Sequence, residues 1–150
     1  MILRKGSVSP ERITGSAPRM EIQFGRAGSL THLGANVVIL EPGKKSSERH
    51  YHANSDEFLL VLKGVATVVE NDGAHELSPG DCACWPAGAE NAHTVENRTD
   101  ASIEFLVAGT NPLKDLVRYP DAGRTLYHEP PEWRLVADDG TVLKHGKTED

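Results

Sequence analysis

Residues 50–57 read HYHANSDE, which places two imidazoles one residue apart and a carboxylate five positions later. On an extended strand side chains alternate with a period of two, so His50 and His52 share one face while Arg49 and Tyr51 share the other. ANSD then turns the chain, and Glu57 opens the next strand. Neighbouring strands lie about 4.8 Å apart, close enough for its carboxylate to meet the imidazoles. A fourth donor has to come from elsewhere, and the sequence offers His93, just after the loop PAGAEN. Three neutral imidazoles and one carboxylate suit one divalent transition metal (Fe, Mn, Zn, Ni, Co or Cu) rather than Ca or Mg, which prefer oxygen shells.

Four side-chain ligands on an octahedral ion leave about two positions for water, oxygen or substrate. With Fe(II) that arrangement permits dioxygenase-type chemistry on a small acid, diol or phenol. With Zn, Mn or Ni it permits polarisation of a carbonyl, hence isomerase, lyase or decarboxylase chemistry. Glu57 has two possible roles, as ligand or as a catalytic base released from the ion. Glu90 and Asn91, in the loop before His93, read as solvated loop residues. Glu104 reads as facing solvent or an interface, and Lys44 and Lys45 as soluble surface. His32, His75, His128 and His145 have no ligand-like neighbours.

Positioning these groups falls to short runs rich in Val, Ile, Leu, Phe and Thr. They are MEIQF (20–24), ANVVILE (35–41), EFLLVLK (57–63), VATVVE (65–70), HEL (75–77), DCACW (81–85), AHTVEN (92–97) and SIEFLVA (102–108). Turn signals such as NDG and SPG separate them, and helical periodicity is almost absent, which predicts an all-β sandwich or barrel. Residues 1–18 read as an N-terminal arm, 19–110 as the barrel, and 111–150 as an extension packing on the barrel or on a dimer partner. Within that extension, 110–133 reads as mostly irregular. WRLVADDGTVLKHG reads as a β-hairpin turning at Asp138-Asp139-Gly140.

The residues also carry a family resemblance. Gly43, His50, His52, Glu57 and Gly64 resemble the first motif of the cupin superfamily, and Gly80, Pro86, Gly88, His93 and Asn97 resemble its second. Six residues rather than five separate Gly43 from His50, and four rather than two separate Gly88 from His93; both differences fall in loops ahead of the ligands. The resemblance covers roughly residues 35–110. It implies a double-stranded β-helix, or jelly-roll barrel, with His50, His52, Glu57 and His93 as metal ligands. The stretches RYPDAGR and EPPEWR are similar to the tail of small bacterial cupins labelled sugar-phosphate isomerase-like. Together these readings give a metal-binding cupin, expected to be an enzyme acting on a small polar molecule. The alternative is a non-catalytic ligand-binding or sensing barrel.

Composition narrows the partners. At 150 residues the chain can bury roughly 70% of its unfolded surface, so it needs no disulfide or metal merely to fold. Lys and Arg number 16 against 22 Asp and Glu, a net charge of -6, which disfavours nucleic acid and anionic membrane. No run approaches the ~18 apolar residues of a membrane span, and a cytoplasmic protein is expected. Cys82 and Cys84 read as small buried hydrophobes. Alternation in EFLLVLK puts Glu57, Leu59 and Val61 on one face and Phe58, Leu60 and Leu62 on the other. That second apolar row needs a cover, and a homodimer is expected.

Overall fold

The computed structural model describes residues 1–148, and it is almost entirely β-structure. A six-stranded sheet has the order β1 (Glu11–Ile13), β2 (Arg19–Ile22), β3 (Leu33–Leu40), β10 (Ile103–Thr110), β5 (Glu57–Lys63) and β8 (Cys82–Trp85). Opposite it lies a three-stranded sheet of β7 (Gly73–Leu77), β6 (Ala66–Glu70) and β9 (Thr94–Glu96). The chain passes back and forth between these two sheets, with antiparallel pairing throughout. This is the all-β barrel that the strand pattern predicts, in the jelly-roll form that the family resemblance implies.

The barrel closes because its central strands β3, β5, β6, β9 and β10 turn apolar side chains inward. Leu40, Leu59, Val61, Val68, Ile103 and Phe105 are each at most 2% exposed and form one continuous cluster. Full burial of such a side chain contributes about 1.5–3 kcal/mol, so this row is the main source of barrel stability. The turn from β5 to β6 admits only glycine: Gly64 has φ +75°, and a Cβ there would lie 2.7 Å from Ile103 Cγ2. Asn97, 1% exposed, has both ends of its amide engaged. Its Nδ2 donates to Leu40 O and Ala101 O at 2.8 Å, and its Oδ1 accepts from Thr99 N and Oγ1.

A third sheet runs β14 (Val142–Lys147), β13 (Glu132–Ala137), β12 (Arg124–Glu129), β11 (Asp115–Tyr119) and β4 (Tyr51–His52). The expected hairpin is present as β13 and β14, and Gly140 at its turn has φ +86°. The preceding stretch is not irregular, as the sequence reading had it, but forms β11 and β12. Asp115 to Tyr119 pair in register with His128 back to Arg124, a pattern masked in sequence by the intervening Pro120–Ala122 turn. Through β11 this sheet continues onto β4, the strand that carries His52.

The outer face of the six-stranded sheet is apolar. Phe58, Leu60 and Leu62 point outward from β5, as alternation predicts, beside Leu106 and Ala108 of β10. Cys82 and Cys84 join them, which corrects the expectation that both are buried. On β8 it is Ala83 and Trp85 that face the core, so alternation sends the two thiols outward. Among the described residues no helix is long and apolar enough to cross a membrane.

Candidate metal centre

The centre is built on a backbone pair. His50 N donates to His93 O at 3.1 Å and His93 N donates to His50 O at 2.9 Å, an isolated antiparallel bridge just ahead of β4 and β9. The reciprocal bonds set the two residues face to face, with ring centroids 5.2 Å apart. His52 follows on β4, 5.0 Å ring to ring from His50, and Glu57 enters at the first position of β5. Ligand atoms of His50, His52 and Glu57 all lie within 4.8 Å of one another. His93 joins them through Glu57, with Nε2 2.8 Å from Oε2, while His52 Nε2 lies 3.9 Å from the same oxygen. All four residues singled out from the sequence therefore converge.

Each imidazole is oriented from behind through Nδ1. His50 Nδ1 lies 2.8 Å from Glu48 O, His93 Nδ1 lies 3.1 Å from Asn91 O, and His52 Nδ1 lies 2.6 Å from Asp115 Oδ2. When Nδ1–H donates to these oxygens, the ring presents its Nε2 lone pair to the cluster, the tautomer a metal ligand needs. Asp115 is itself fixed, since its Oδ1 accepts from Asn54 N at 3.0 Å. Gly88, with φ +80°, donates its N–H to His52 O at 3.0 Å and so ties the PAGAEN loop to the ligand strand. The His93 ring is stacked on Trp85 at 3.7 Å between centroids and 9° between planes, and Trp85 Nε1 donates to Glu70 Oε1 at 2.6 Å.

Burial lowers the pKa of His50, which favours the neutral ligand form. For Glu57, burial alone would raise the carboxyl. The hydrogen bond from His93 and the charge of the three nearby imidazoles outweigh it and leave the group below its ordinary value. The donor set fits a divalent transition ion: three imidazoles with their distal nitrogens committed, and a carboxylate that favours its charged form. Glu57 Oε2 and His93 Nε2 at 2.8 Å would repel as two bare lone pairs, and a shared proton or a cation bound to both relieves that contact.

Several groups at the site escaped the sequence reading. Asp115 and Tyr119 come from the C-terminal sheet, and the Tyr119 ring lies 5.7 Å from that of His50. Asn91, expected as a solvated loop residue, orients His93 through its carbonyl. Arg124 of β12 pairs with Glu48, whose carbonyl holds His50. A cavity of about 210 Å³ adjoins the cluster, lined by His50, Glu57 and His93 and also by Arg19, Glu21 and Asn36 of β2 and β3. Lys44 and Lys45 line a separate surface cavity that holds none of the four ligands. A period-2 count marks Arg19 and Glu21 as sharing a face, but the sequence alone does not reveal that β2 lies along β3 with that face inward.

Residues 36–109 match the family described as the cupin domain. Among solved structures, the chain is similar to a cupin-superfamily sugar phosphate isomerase from Silicibacter pomeroyi DSS-3. The two share 37% identity over 96% of this chain and 97% of that one, with a TM-score of 0.88. It is also similar to a proposed sugar phosphate isomerase from Acidithiobacillus ferrooxidans ATCC 23270, with 30% identity, coverage of 95% and 96%, and a TM-score of 0.87. Protein SchB of Streptomyces halstedii is 28% identical over 109 residues, which is 73% of this chain and 78% of that protein.

Two outcomes follow from the geometry. Replacing Asp115 by Asn removes the charged partner of His52 Nδ1 and should weaken binding of Zn²⁺ or Mn²⁺ by about 10–100-fold, as changes behind a ligand do. Competition titration against a chromophoric chelator reads this directly, and unchanged affinity would show that Asp115 does not orient the ligand. For metal-free protein, a folded His50 pKa below its unfolded value of about 6.5 means a contribution present above that pH and lost as pH falls through it. The lowered Glu57 carboxyl acts with the same sign at more acidic pH. Urea midpoints should therefore fall from pH 7.5 to 5.5, and less steeply in His50→Asn; equal slopes in the two proteins would contradict the assignment.

Proposed function

The chain belongs to the cupin superfamily, and on that premise we propose that it is a mononuclear metalloenzyme of isomerase or lyase type acting on a small polar carbonyl compound. In this reading His50, His52, Glu57 and His93 hold one divalent transition metal. The observation that supports it is the commitment of all three Nδ1 atoms to oxygens behind the rings, which leaves the Nε2 atoms uncommitted on that side, that of His93 lying against Glu57. An idle site would not require that arrangement. The choice of isomerase or lyase over oxygenase is supported by the 37% and 30% identity to proteins named as sugar phosphate isomerases.

The bound ion supplies Lewis acidity, polarising a substrate carbonyl and offsetting negative charge that develops on its oxygen. The chain's own residues do the rest. His50 and His93 fix their rings through a backbone pair, so the donors are in place before substrate arrives. Glu57 meets His93 Nε2 through Oε2 and also lines the adjoining cavity, so a carboxylate oxygen not engaged by the ion would be placed to accept a proton from a molecule there. Val38, Leu59, Phe105 and Val107 line the cavity with apolar surface, which limits water and strengthens each polar interaction inside.

We also propose that a second copy of the chain covers the outer face bearing Phe58, Leu60, Leu62, Cys82 and Cys84. The face is apolar across β5 and β8, with charge at one end where Lys63 lies 3.9 Å from Glu104. An exposed apolar patch is most simply satisfied by an isologous twin of itself.

Elemental analysis of untagged protein, purified without added metal, tests the first proposal. Near-stoichiometric Zn, Mn, Ni or Fe is expected in wild type and loss of it in His50→Ala/His52→Ala, together with loss of metal-dependent aldose–ketose interconversion. Equal, negligible metal in both proteins after reconstitution would sink the reading, and metal with oxygen uptake but no isomerisation would move it to the oxygenases. Sedimentation tests the second proposal: wild type should run as a dimer and Leu60→Glu as a monomer that still binds metal. A monomeric wild type would reject it.

A further inference from the structure

Within the reading of the 210 Å³ cavity as the substrate chamber, we infer that Arg19, Glu21 and Asn36 form a second recognition group. They bind the hydroxylated end of the substrate while its reacting end lies at the histidines. The substrate class this assigns is a small molecule with vicinal hydroxyls, a short polyol or hydroxycarbonyl.

The placement comes from the N-terminal strand. β2 pairs with β3 so that Glu21 stands opposite Val38, and alternation turns Arg19 and Glu21 into the barrel while Met20 and Ile22 point away. Glu21 is 6% exposed and Arg19 is only partly exposed. Around them the chamber is lined by Val38, Leu59, Phe105 and Val107. Folding alone does not call for ions there, since a buried ion pair is often no more stabilising than apolar residues of the same volume.

The hydrogen bonds within the group are uneven, and that points to a ligand. Glu21 Oε1 accepts from Arg19 Nε at 2.7 Å, and Arg19 Nη2 lies 2.6 Å from the same oxygen. Glu21 Oε2 has only two long contacts, Asn36 Nδ2 and Gln23 Nε2, both at 3.5 Å. A buried carboxylate oxygen with bonds this long retains accepting capacity. Arg19 spends one Nη1 donor on Ala17 O at 3.2 Å and keeps further N–H groups on its terminal nitrogens. A strong acceptor and several donors thus stand side by side.

Charge decides which ligand suits them. Arg19 and Glu21 cancel, so an anion reaching the guanidinium would meet the carboxylate at close range in a low-dielectric wall. A hydroxyl meets no such repulsion: it donates to Glu21 Oε2 and accepts from Arg19 or Asn36 at the same time. Two adjacent hydroxyls satisfy the group fully. The volume also fits, because 210 Å³ lies below the roughly 300–1,000 Å³ of drug-sized sites and admits a short chain.

Binding to metal-free protein tests this separately from the metal centre. Isothermal titration with erythritol, and with 1,4-butanediol as the analogue lacking vicinal hydroxyls, is compared in wild type, Glu21→Gln and Arg19→Met. Wild type should bind erythritol about tenfold or more tighter than the butanediol, since a site built to pair hydroxyls rejects analogues without them. Glu21→Gln should weaken erythritol by about tenfold, the scale of one hydrogen bond to a charged group. Arg19→Met should abolish binding; if it does not fold, Arg19→Lys takes its place and should bind more weakly than wild type. No erythritol binding by wild type, equal affinity for the two probes, or unchanged erythritol affinity in Glu21→Gln would overturn the inference. So would tighter binding of inorganic phosphate than of erythritol by wild type, which would make Arg19 an anion hook. A protein that binds no metal but passes these tests would fail only the catalytic proposal.

Discussion

Two backbone hydrogen bonds between His50 and His93 set the terms for the rest of the molecule. They join the chain just before β4 to the chain just before β9, segments separated by more than forty residues, and the Lys45–Glu96 bridge and the Ser46 N to Val95 O bond continue the same seam. Once the pair forms, their rings must stand side by side, and Glu57 needs only to begin β5 at the right place to meet both. The jelly-roll is then understood as the scaffold that brings two loops into reciprocal register, and its apolar interior is what holds them there. Precision at the cluster derives from backbone geometry more than from side-chain packing, which gives the ligands little freedom to reorganise.

A second dependence runs in the opposite direction along the chain. The C-terminal residues do more than cover the barrel, because β11 extends onto β4 and Asp115 at its head grips His52. Arg49 is tied to Asp121 by bonds of 2.9 and 2.8 Å, and Arg124 to Glu48, so the two residues just before His50 are each held from the tail. The two motifs supply the donors, and the tail sets how one of them is aimed. At the other end of the chain, β2 closes the chamber with its own charged pair. Both termini therefore contribute to the site, although neither carries a ligand.

The contrast between what could and could not be read from the sequence has a physical basis. Strand alternation is local, so β5 was legible to the residue, and the inward row of Leu59 and Val61 with it. The four converging residues were legible because their types are chemically distinctive and their spacing follows a known motif. Asp115 was not, since one aspartate among the 22 acidic residues becomes significant only when β11 finds β4, a pairing across more than sixty positions. The orienting carbonyls of Glu48 and Asn91 have no residue signature at all. Cys82 and Cys84 were misplaced for a simpler reason: composition favours buried cysteine, but parity on a strand with Trp85 facing inward overrules it.

The stacking of Trp85 on His93 makes the protein its own optical instrument. An indole parallel to an imidazole at 3.7 Å, with its N–H tethered to Glu70, has an excited state exposed to whatever charge or unpaired electron arrives on that ring. The other indole, Trp133, belongs to the distal hairpin and supplies a constant background. Occupancy of the centre thus has an intrinsic emission signal, and the species that quenches it need not be labelled, coloured or turned over to be followed in real time.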